Sequence, residues 1–237
     1  MLNICLPNQR TVRKLSFYLA MEEYVARYIP SADDCLFLWQ VAPTVIFGRN
    51  QQLENEVNVD YCRRHNIQMF RRKSGGGCVY ADESNLMLSY ITRNENVGLA
   101  FNNFINMMLL VLHKMGVDAV GSSHNDVMIA DRKVSGTASY HLPEGNIVHG
   151  TLLYDTNMEF MLNAITPGPE KLEQKGIQSV RQRITLLKDH TTLTLEEVKT
   201  LILETLCEKQ LMLTDEQIAD IEQLEQTYID EDFIRQL

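Results

Sequence analysis

Three consecutive glycines, Gly75–Gly77, interrupt the chain between a cationic cluster and a run of β-forming residues. The segment reads RRKSGGGCVY over 71–80. Glycine allows positive φ and a close approach of the backbone to a ligand, and successive free N–H groups in such a loop form a nest for anions. Arg71, Arg72 and Lys73 add positive charge beside it. The pattern predicts a strand that enters a phosphate- or carboxylate-binding loop, with a second strand after it.

Other readings of this segment remain open at this point. A glycine triplet also forms ordinary hairpin turns, and arginines before it are compatible with the solvated face of an edge strand. No Gly-Lys-Ser/Thr follows at the spacing of a P-loop. The dinucleotide-binding fingerprint does not fit either, because a strand rather than a helix is predicted to follow.

Composition favours a single globular domain. The chain has 237 residues, of which 45% are hydrophobic, and a net charge of −9. This length suits one packed domain, or one domain with a small appendage. An acidic chain argues against general nucleic-acid binding, so a local basic loop favours a small anionic ligand.

The cysteines and the apolar runs bear on the location of the protein. Five cysteines, without a Cys-x-x-Cys pair, favour neither a disulfide framework nor a zinc site. We therefore expect a reducing, cytoplasmic setting. Met1 is followed by no signal segment, and the longest apolar run, 107–112, is far too short to span a membrane.

Hydrophobic periodicity and turn residues predict a mixed α/β sheet flanked by helices. The helix at 16–28 is predicted to be amphipathic, and the helix at 97–115 has the strongest periodicity, with Gly116 as its stop. A hairpin is predicted around Asp131-Arg132. The other predictions are a helix at 59–66 and strands at 35–41, 44–47, 67–72, 79–81, 85–92, 127–130, 133–138 and 147–154.

The C-terminal part of the sequence is predicted to be mainly helical. Thr194–Glu197 and Thr214–Gln217 both match the capping box, in which two side chains satisfy free N–H groups at a helix start. Helices are predicted from Leu195 to about Lys209 and from Asp215 onward. We expect 1–190 to form a catalytic core and 191–237 a helical segment packed on the same domain.

Further polar segments have the character of binding loops. They contain Asp82–Asn85, His124–Asp126, Lys133–Thr137 and His149–Thr151. Each also has an ordinary structural explanation, such as an Asx turn at Asn125 or a hydrogen-bonded core histidine at His149.

Taken together, these motifs resemble the lipoate–protein ligase family. The order is Arg-Arg-x-Ser-Gly-Gly-Gly-x-Val-Tyr-x-Asp-x-x-Asn, then Asn-Asp, then Lys-Val-Ser-Gly-Thr-Ala, then His-Gly-Thr-Leu-Leu. The similarity extends upstream to Pro43–Asn50 and downstream to Lys171–Thr185. It implies an α/β catalytic domain of the biotin- and lipoate-ligase type.

The resemblance implies that ATP and Mg²⁺ activate a fatty carboxylate, lipoate or octanoate, to an acyl adenylate. The acyl group then passes to a lysine of a lipoyl-carrier domain, such as a 2-oxoacid dehydrogenase E2 subunit or the glycine-cleavage H protein. Such chemistry needs alignment, charge neutralisation and exclusion of water. It implies no nucleic-acid or membrane partner.

The resemblance also assigns roles to residues of this chain. Lys133 is the expected catalytic residue, bridging acyl carbonyl and phosphate oxygens, and Asp126 is the expected Mg²⁺ ligand. Asn85 is expected to contact the nucleotide, and His149 to lie at the acyl group. The complete expected binding set is Arg72, Ser74, Gly75, Gly76, Gly77, Val79, Asn85, Asn125, Ser135, Gly136, Thr137, His149, Gly150 and Thr151.

Two departures leave alternatives open. Related acyltransferases transfer the acyl group through a cysteine thioester and need no ATP. In one branch that cysteine lies three residues before the His-Gly pair, whereas this chain has Asn146 there. Many ligases of the family carry an accessory domain after the catalytic one, and none is expected within these 237 residues. Activation without that domain, a separate accessory subunit and a transfer-only enzyme all remain open. A non-catalytic binding module is the third functional reading.

Overall fold

The computed structural model describes residues 1–7, 13–122, 126–165 and 183–235. Its elements, in chain order, are β1 (Leu2–Cys5), α1 (Leu15–Tyr28), β2 (Cys35–Trp39), β3 (Thr44–Phe47), α2 (Leu53–Glu56), α3 (Val59–Arg64), β4 (Gln68–Arg71), β5 (Val79–Ala81), β6 (Leu86–Thr92), α4 (Val97–Lys114), β7 (Ala119–Gly121), β8 (Asp126–Ile129), β9 (Arg132–Leu142), β10 (Gly145–Leu152), α5 (Met158–Ala164), a 3₁₀ turn (Leu187–Asp189), α6 (Leu195–Leu206), β11 (Lys209–Met212), α7 (Asp215–Ile229) and α8 (Glu231–Arg235).

A large mixed sheet carries most of these strands, in the order β11-β1-β2-β6-β10-β9-β8-β7. Along β2-β6-β10-β9 each strand is antiparallel to the next, whereas β1 pairs in parallel with both β2 and β11. A smaller sheet has the order β4-β3-β5.

Alternation along the central strands divides the core into two layers, because successive side chains point to opposite faces of a sheet. Phe37, Met87 and Ile147 pack with α1 in one layer. Leu88 and Val148 pack with α4 and α6 in the other. The face toward α1 is the one that carries the candidate site.

The glycine segment crosses from one edge of the small sheet to the other. β4 and β5 do not pair with each other, since β3 lies between them, parallel to β4 and antiparallel to β5. Gly75–Gly77 therefore pass over the end of β3, and the reading of this segment as an ordinary hairpin turn is wrong.

The predicted fold class is confirmed, as are the strands of the two sheets that the sequence indicated and the helix α4. Both capping boxes are formed, at Thr194 and at Thr214. The helix from Leu195 ends at Leu206 rather than near Lys209, because residues Lys209–Met212 join the sheet beside β1. The short elements β1, β7, β11, α2 and α5 were not predicted.

The prediction that α1 is amphipathic is wrong. Every residue from Leu15 to Ala26 is buried, including Glu22 and Glu23. The reason is that α7 packs on the side of α1 that would otherwise face water, and Ser16 Oγ donates a hydrogen bond to Glu225 across that contact. No helix in the described part of the chain is both long and apolar enough to cross a membrane.

Candidate active site

The glycine loop is held from within by one guanidinium group. Arg72 is buried and donates hydrogen bonds to the carbonyl oxygens of Gly75 (2.7 Å) and Gly77 (2.7 Å) from Nη2, and to Ile46 O (3.1 Å) from Nη1. Burial lowers the pKa of Arg72 to about 10, so it remains a cation at neutral pH. The carbonyl groups are thus turned inward to Arg72.

The backbone N–H groups of the glycine loop differ from its carbonyl groups in having no hydrogen-bond partner among the described residues. No hydrogen bond within the described ranges uses the N–H groups of Gly75, Gly76 or Gly77. A Cβ added at Gly75 or Gly77 would meet nothing within 4 Å, and Gly76 has a φ of 91° that favours glycine. Pinned carbonyls and free amides beside open space are what an anion nest requires.

The turn that follows β3 packs closely against the glycine loop. A Cβ at Gly48 would lie 2.3 Å from Gly76 O, so only glycine permits this approach. Arg49 N also donates to Ser74 O at 3.0 Å. The conformation of the turn at Gly48-Arg49 and that of the glycine loop therefore constrain each other.

Arg71 and Lys73 do not lie at the cavity, so the expectation that they add free charge beside the loop is wrong. Arg71 donates to four carbonyl groups, those of Gly48, Arg49, Gln51 and Ile234. Lys73 forms an ion pair with Glu23 at 2.6 Å. Of the three cations, only Arg72 reaches the cavity wall.

Lys133 comes to the site on the β8–β9 hairpin. The turn consists of Ala130 and Asp131, both with positive φ (47° and 60°), rather than the predicted Asp131-Arg132. Lys133 Nζ lies 2.8 Å from Asp126 Oδ1. A Cβ at Gly136 would lie 2.5 Å from Lys133 Cε and Nζ, so this glycine makes room for the lysine side chain.

Lys133 and the glycine loop share two adjoining cavities. The first, of about 140 Å³, has an apolar wall that includes Leu19, Trp39 and Met87. The second, of about 370 Å³, extends toward α5. Both are bordered by Gly77, Cys78, Val79, Lys133, Gly136 and Thr151.

His149 belongs to a buried hydrogen-bonded chain beneath the first cavity. Its Nε2 lies 2.8 Å from Ser74 Oγ, and its Nδ1 lies 3.0 Å from Glu22 Oε2. Ser89 Oγ donates to Glu22 and accepts from Trp39 Nε1. Both nitrogens of the His149 ring are engaged, so it offers the cavity an apolar surface.

The remaining predicted site residues fall into two groups. Arg72, Gly76, Thr137 and Gly150 border the first cavity with the residues already named. Ser135 is fully buried and does not border either cavity, and neither does Asn85. Asn85 Oδ1 accepts from Thr156, whereas its buried Nδ2 has no partner in the part of the chain that the structure describes. Asn125 and the segment 171–181 lie outside the described residues.

The cysteine and asparagine positions bear on covalent chemistry. Cys78 borders both cavities, but burial raises its pKa to about 12, which disfavours the reactive thiolate. Asn146 is buried, donates to Asn94 O and contacts His141 Nδ1. It is therefore a structural residue and carries no thiol.

Sequence reasoning missed the residues of α1 and of the strands that border the first cavity, and it also missed Glu22, which is hydrogen-bonded to His149 of that cavity wall. A signal was present, because Glu22 interrupts a helix that is otherwise largely apolar over 15–21. A charge there indicates a partner in the core, since buried carboxylates are paired.

Comparison with known proteins identifies the family of this chain. The Lipoyl protein ligase A/B catalytic domain family matches residues 14–207. Because this match spans most of the chain, the protein belongs to that family.

Two curated relatives and two solved structures illustrate the likeness. The chain is 36% identical to Lipoate–protein ligase 1 of Staphylococcus aureus, over 87% of this chain and 65% of that one. It is also 36% identical to the lipoate-protein ligase LplJ of Bacillus subtilis, over 70% and 50%. The chain thus spans between about half and two thirds of these relatives.

The structural neighbours share the fold. A T. acidophilum protein with bound lipoic acid has a TM-score of 0.85 at 22% identity, with 100% of both chains covered. A lipoate-protein ligase A bound with ATP has a TM-score of 0.82 at 21% identity, covering 99% of this chain and 97% of that one.

Proposed function

We propose that this chain is the catalytic unit of a lipoate–protein ligase. In the first step a lipoate oxygen attacks the α-phosphorus of ATP, pyrophosphate leaves and lipoyl-AMP forms. In the second step the amine of an acceptor lysine attacks the acyl carbonyl, and AMP leaves. The observation that carries the proposal is that Lys133 borders the same cavity as Gly76 and Gly77, whose amides have no hydrogen-bond partner among the described residues.

The acyl chain would occupy the first cavity. Leu15, Leu19 and Met87 supply apolar surface, and the ring nitrogens of Trp39 and His149 are already hydrogen-bonded within the protein. Such a wall favours an aliphatic group, because no polar group of the ligand is needed to satisfy it. Lipoate and octanoate both meet this condition.

The phosphate would lie at the glycine loop, between the amides and Lys133. Gly77 borders both cavities and would therefore lie where the acyl group and the nucleotide meet. The Lys133 ammonium would stabilise the negative charge that grows on the phosphate and on the carbonyl oxygen during each attack. Asn85 Nδ2 has no hydrogen-bond partner among the described residues, but Asn85 is fully buried and borders neither cavity, so contact with a nucleotide would require the site to open.

Mg²⁺ fits the residues present. Mg²⁺ is usually bound by one or two carboxylates together with substrate phosphates, and Asp126 places one carboxylate beside Lys133. The described residues contain no cluster of three or more metal-ligating side chains. Asp126 would hold the ion, which neutralises phosphate charge when bound.

The acceptor would be a lipoyl-carrier domain, such as an E2 subunit or the glycine-cleavage H protein. One structural neighbour is described as a bi-partite lipoate protein ligase with its E2 lipoyl domain. A separate accessory subunit is therefore a natural partner to include in the assay. We also propose a cytoplasmic setting, since all five cysteines are free.

A single assay tests the function. The protein is incubated with lipoate, labelled ATP and Mg²⁺, with and without a lipoyl acceptor domain, and in a parallel arm with preformed lipoyl-AMP. Each arm is run with and without a separate accessory subunit. Lipoyl-AMP formation together with acceptor modification supports the proposal. Modification from lipoyl-AMP alone would indicate a transferase, and binding without either reaction would indicate a binding module; both contradict the ligase.

A further inference from the structure

The three residues that lead into the glycine loop are anchored to three different parts of the molecule. Arg72 holds the carbonyl groups of the loop itself. Arg71 and Lys73, which flank it, reach away from the cavity to the C-terminal helices. Because these helices lie outside the cavity walls, their contacts with the loop segment are not explained by substrate binding.

Arg71 connects α8 to the turn beneath the loop. The side chain is 1% exposed and its Nε donates to Ile234 O at 3.0 Å. Its Nη1 lies 2.8 Å from Arg49 O and 2.7 Å from Gln51 O, and its guanidinium stacks on Phe47. Hydrogen bonds from a charged donor are among the stronger ones in proteins.

The Gly48–Gln51 turn contacts the glycine loop directly. Gly48 touches Gly76 so closely that a Cβ would collide with Gly76 O, and Arg49 N donates to Ser74 O. A displacement of α8 would therefore move the Gly48–Gln51 turn and the backbone that carries the anion nest.

Lys73 makes a second connection, to α7. Its ammonium pairs with Glu23 and lies 4.8 Å from the centroid of the Tyr228 ring. The Tyr228 hydroxyl donates to the same Glu23 oxygen, and Glu23 is buried. Burial and Glu23 raise the pKa of Tyr228, so its hydroxyl stays protonated and remains a donor.

We propose that helices α7 and α8 position the glycine loop, with Tyr228 and Arg71 as the positioning residues. Neither residue borders the two cavities. Tyr228 acts through Glu23 and Lys73, and Arg71 links the Ile234 carbonyl to the Gly48–Gln51 turn. Occupancy of the loop by a phosphate and the seating of the C-terminal helices are therefore energetically coupled.

The test compares two tyrosines of the same helix interface. Tyr228→Phe removes the hydroxyl that contacts Glu23. Tyr24→Phe is the matched control, because Tyr24 also bridges α1 and α7, through Asp220 at 3.4 Å, but has no contact with Lys73. Arg71→Lys is the second test variant, and it keeps the charge while losing the forked geometry.

The first readout is hydrogen exchange of the hydrogen-bonded amides of Arg49, Gln51 and Arg72, measured without substrate. We expect Tyr228→Phe to speed their exchange roughly tenfold relative to Tyr24→Phe, at similar thermal stability. Should Arg71→Lys fail to fold, Tyr228→Phe still decides the outcome.

The second readout is the KM for ATP in adenylate formation, and this part rests on the proposed function. We expect KM to rise in Tyr228→Phe and to stay at the wild-type value in Tyr24→Phe. Equal exchange rates in the two tyrosine variants overturn the proposed coupling, even in an active enzyme. A wild-type chain that forms no lipoyl-AMP contradicts the ligase function instead, and the exchange rates still decide whether the coupling exists.

Discussion

Lys133 Nζ lies 2.8 Å from Asp126 Oδ1, across the two strands of the β8–β9 hairpin. The lysine backbone is also fixed, because Thr185 N donates to Lys133 O at 2.9 Å. Lys133 is thus tethered at both its backbone and its ammonium group, with its charge directed to the cavity it shares with the glycine loop. A carboxylate that holds the ammonium before substrate binds reduces the ordering needed for catalysis.

The first prediction concerns that ammonium. Lys133→Ala should lower the rate of lipoyl-AMP formation by about 10²–10³-fold, because one donor to a developing oxyanion contributes about 2.7–4 kcal/mol. Production of labelled lipoyl-AMP measures it. Lys209→Ala is the control, since Lys209 is another lysine that pairs with a carboxylate, that of Asp33. Lys209 lies on β11, an edge strand of the large sheet that is separated from β9 by four other strands. An alanine variant at 133 with more than half the wild-type rate would exclude this role.

The second prediction concerns the room that Gly136 leaves for Lys133. A Cβ at this position would lie 2.5 Å from Lys133 Cε and Nζ, and the lysine end is flexible enough to move aside. Gly136→Ala should therefore fold normally and lose adenylation activity, roughly tenfold or more, through misplacement of the ammonium. Thermal unfolding and the same assay check this. Unchanged activity would show that the position of the ammonium is not critical.

Local sequence patterns predicted the parts of the site that depend on one segment. The glycine triplet, the hairpin with Lys133 and both capping boxes could be identified because turn residues and cap residues act over a few positions. The partners of Arg71 and Lys73 could not, since both cations bond to residues that lie far away in the chain, such as Ile234 and Tyr228.

Tertiary packing also explains the misreading of α1. Its charged residues Glu22 and Glu23 suggest a solvent-facing side, but they are buried against His149 and Lys73. The strand β11 was missed for a related reason. Lys209–Met212 has an exposed, polar character and becomes a strand by pairing with β1 at the edge of the sheet.

The third prediction concerns backbone strain in the turn before Lys133. Ala130 has a φ of 47°, a left-handed conformation that costs an ordinary residue about 1–2 kcal/mol. Asparagine adopts this conformation readily, so Ala130→Asn should raise the free energy of unfolding by about 1 kcal/mol. Asp131→Asn is the control and should change it by less than about 0.5 kcal/mol. Chemical denaturation measures both, and equal stabilities for wild type and Ala130→Asn would exclude strain at Ala130.

The fourth prediction is the pH dependence of Cys78 alkylation. Burial raises the pKa of Cys78 to about 12, and the thiolate is the reactive form. At pH 7.5 its reaction with iodoacetamide should be roughly a thousandfold slower than that of a free cysteine, and it should accelerate as the pH rises toward 10. Peptide mass mapping of the alkylated site follows the rate. Rapid labelling of Cys78 at neutral pH would contradict the prediction that this thiol is unreactive and would favour a thioester mechanism.

The fifth prediction separates binding from folding within the glycine triplet. Gly77 borders both cavities and a Cβ there meets nothing within 4 Å, so Gly77→Ala should keep the stability of the wild type while its methyl group enters the ligand space. Overpacking costs about 1–3 kcal/mol, so ATP affinity in the presence of lipoate should fall about 10- to 100-fold.

Gly76→Ala should instead lose about 1–2 kcal/mol of stability, because its φ of 91° disfavours alanine. Gly75→Ala is the matched control, since its Cβ also meets open space but Gly75 does not border either cavity. Calorimetric binding and thermal unfolding of the three variants provide the measurement, and wild-type ATP affinity in Gly77→Ala would mean that the phosphate binds elsewhere.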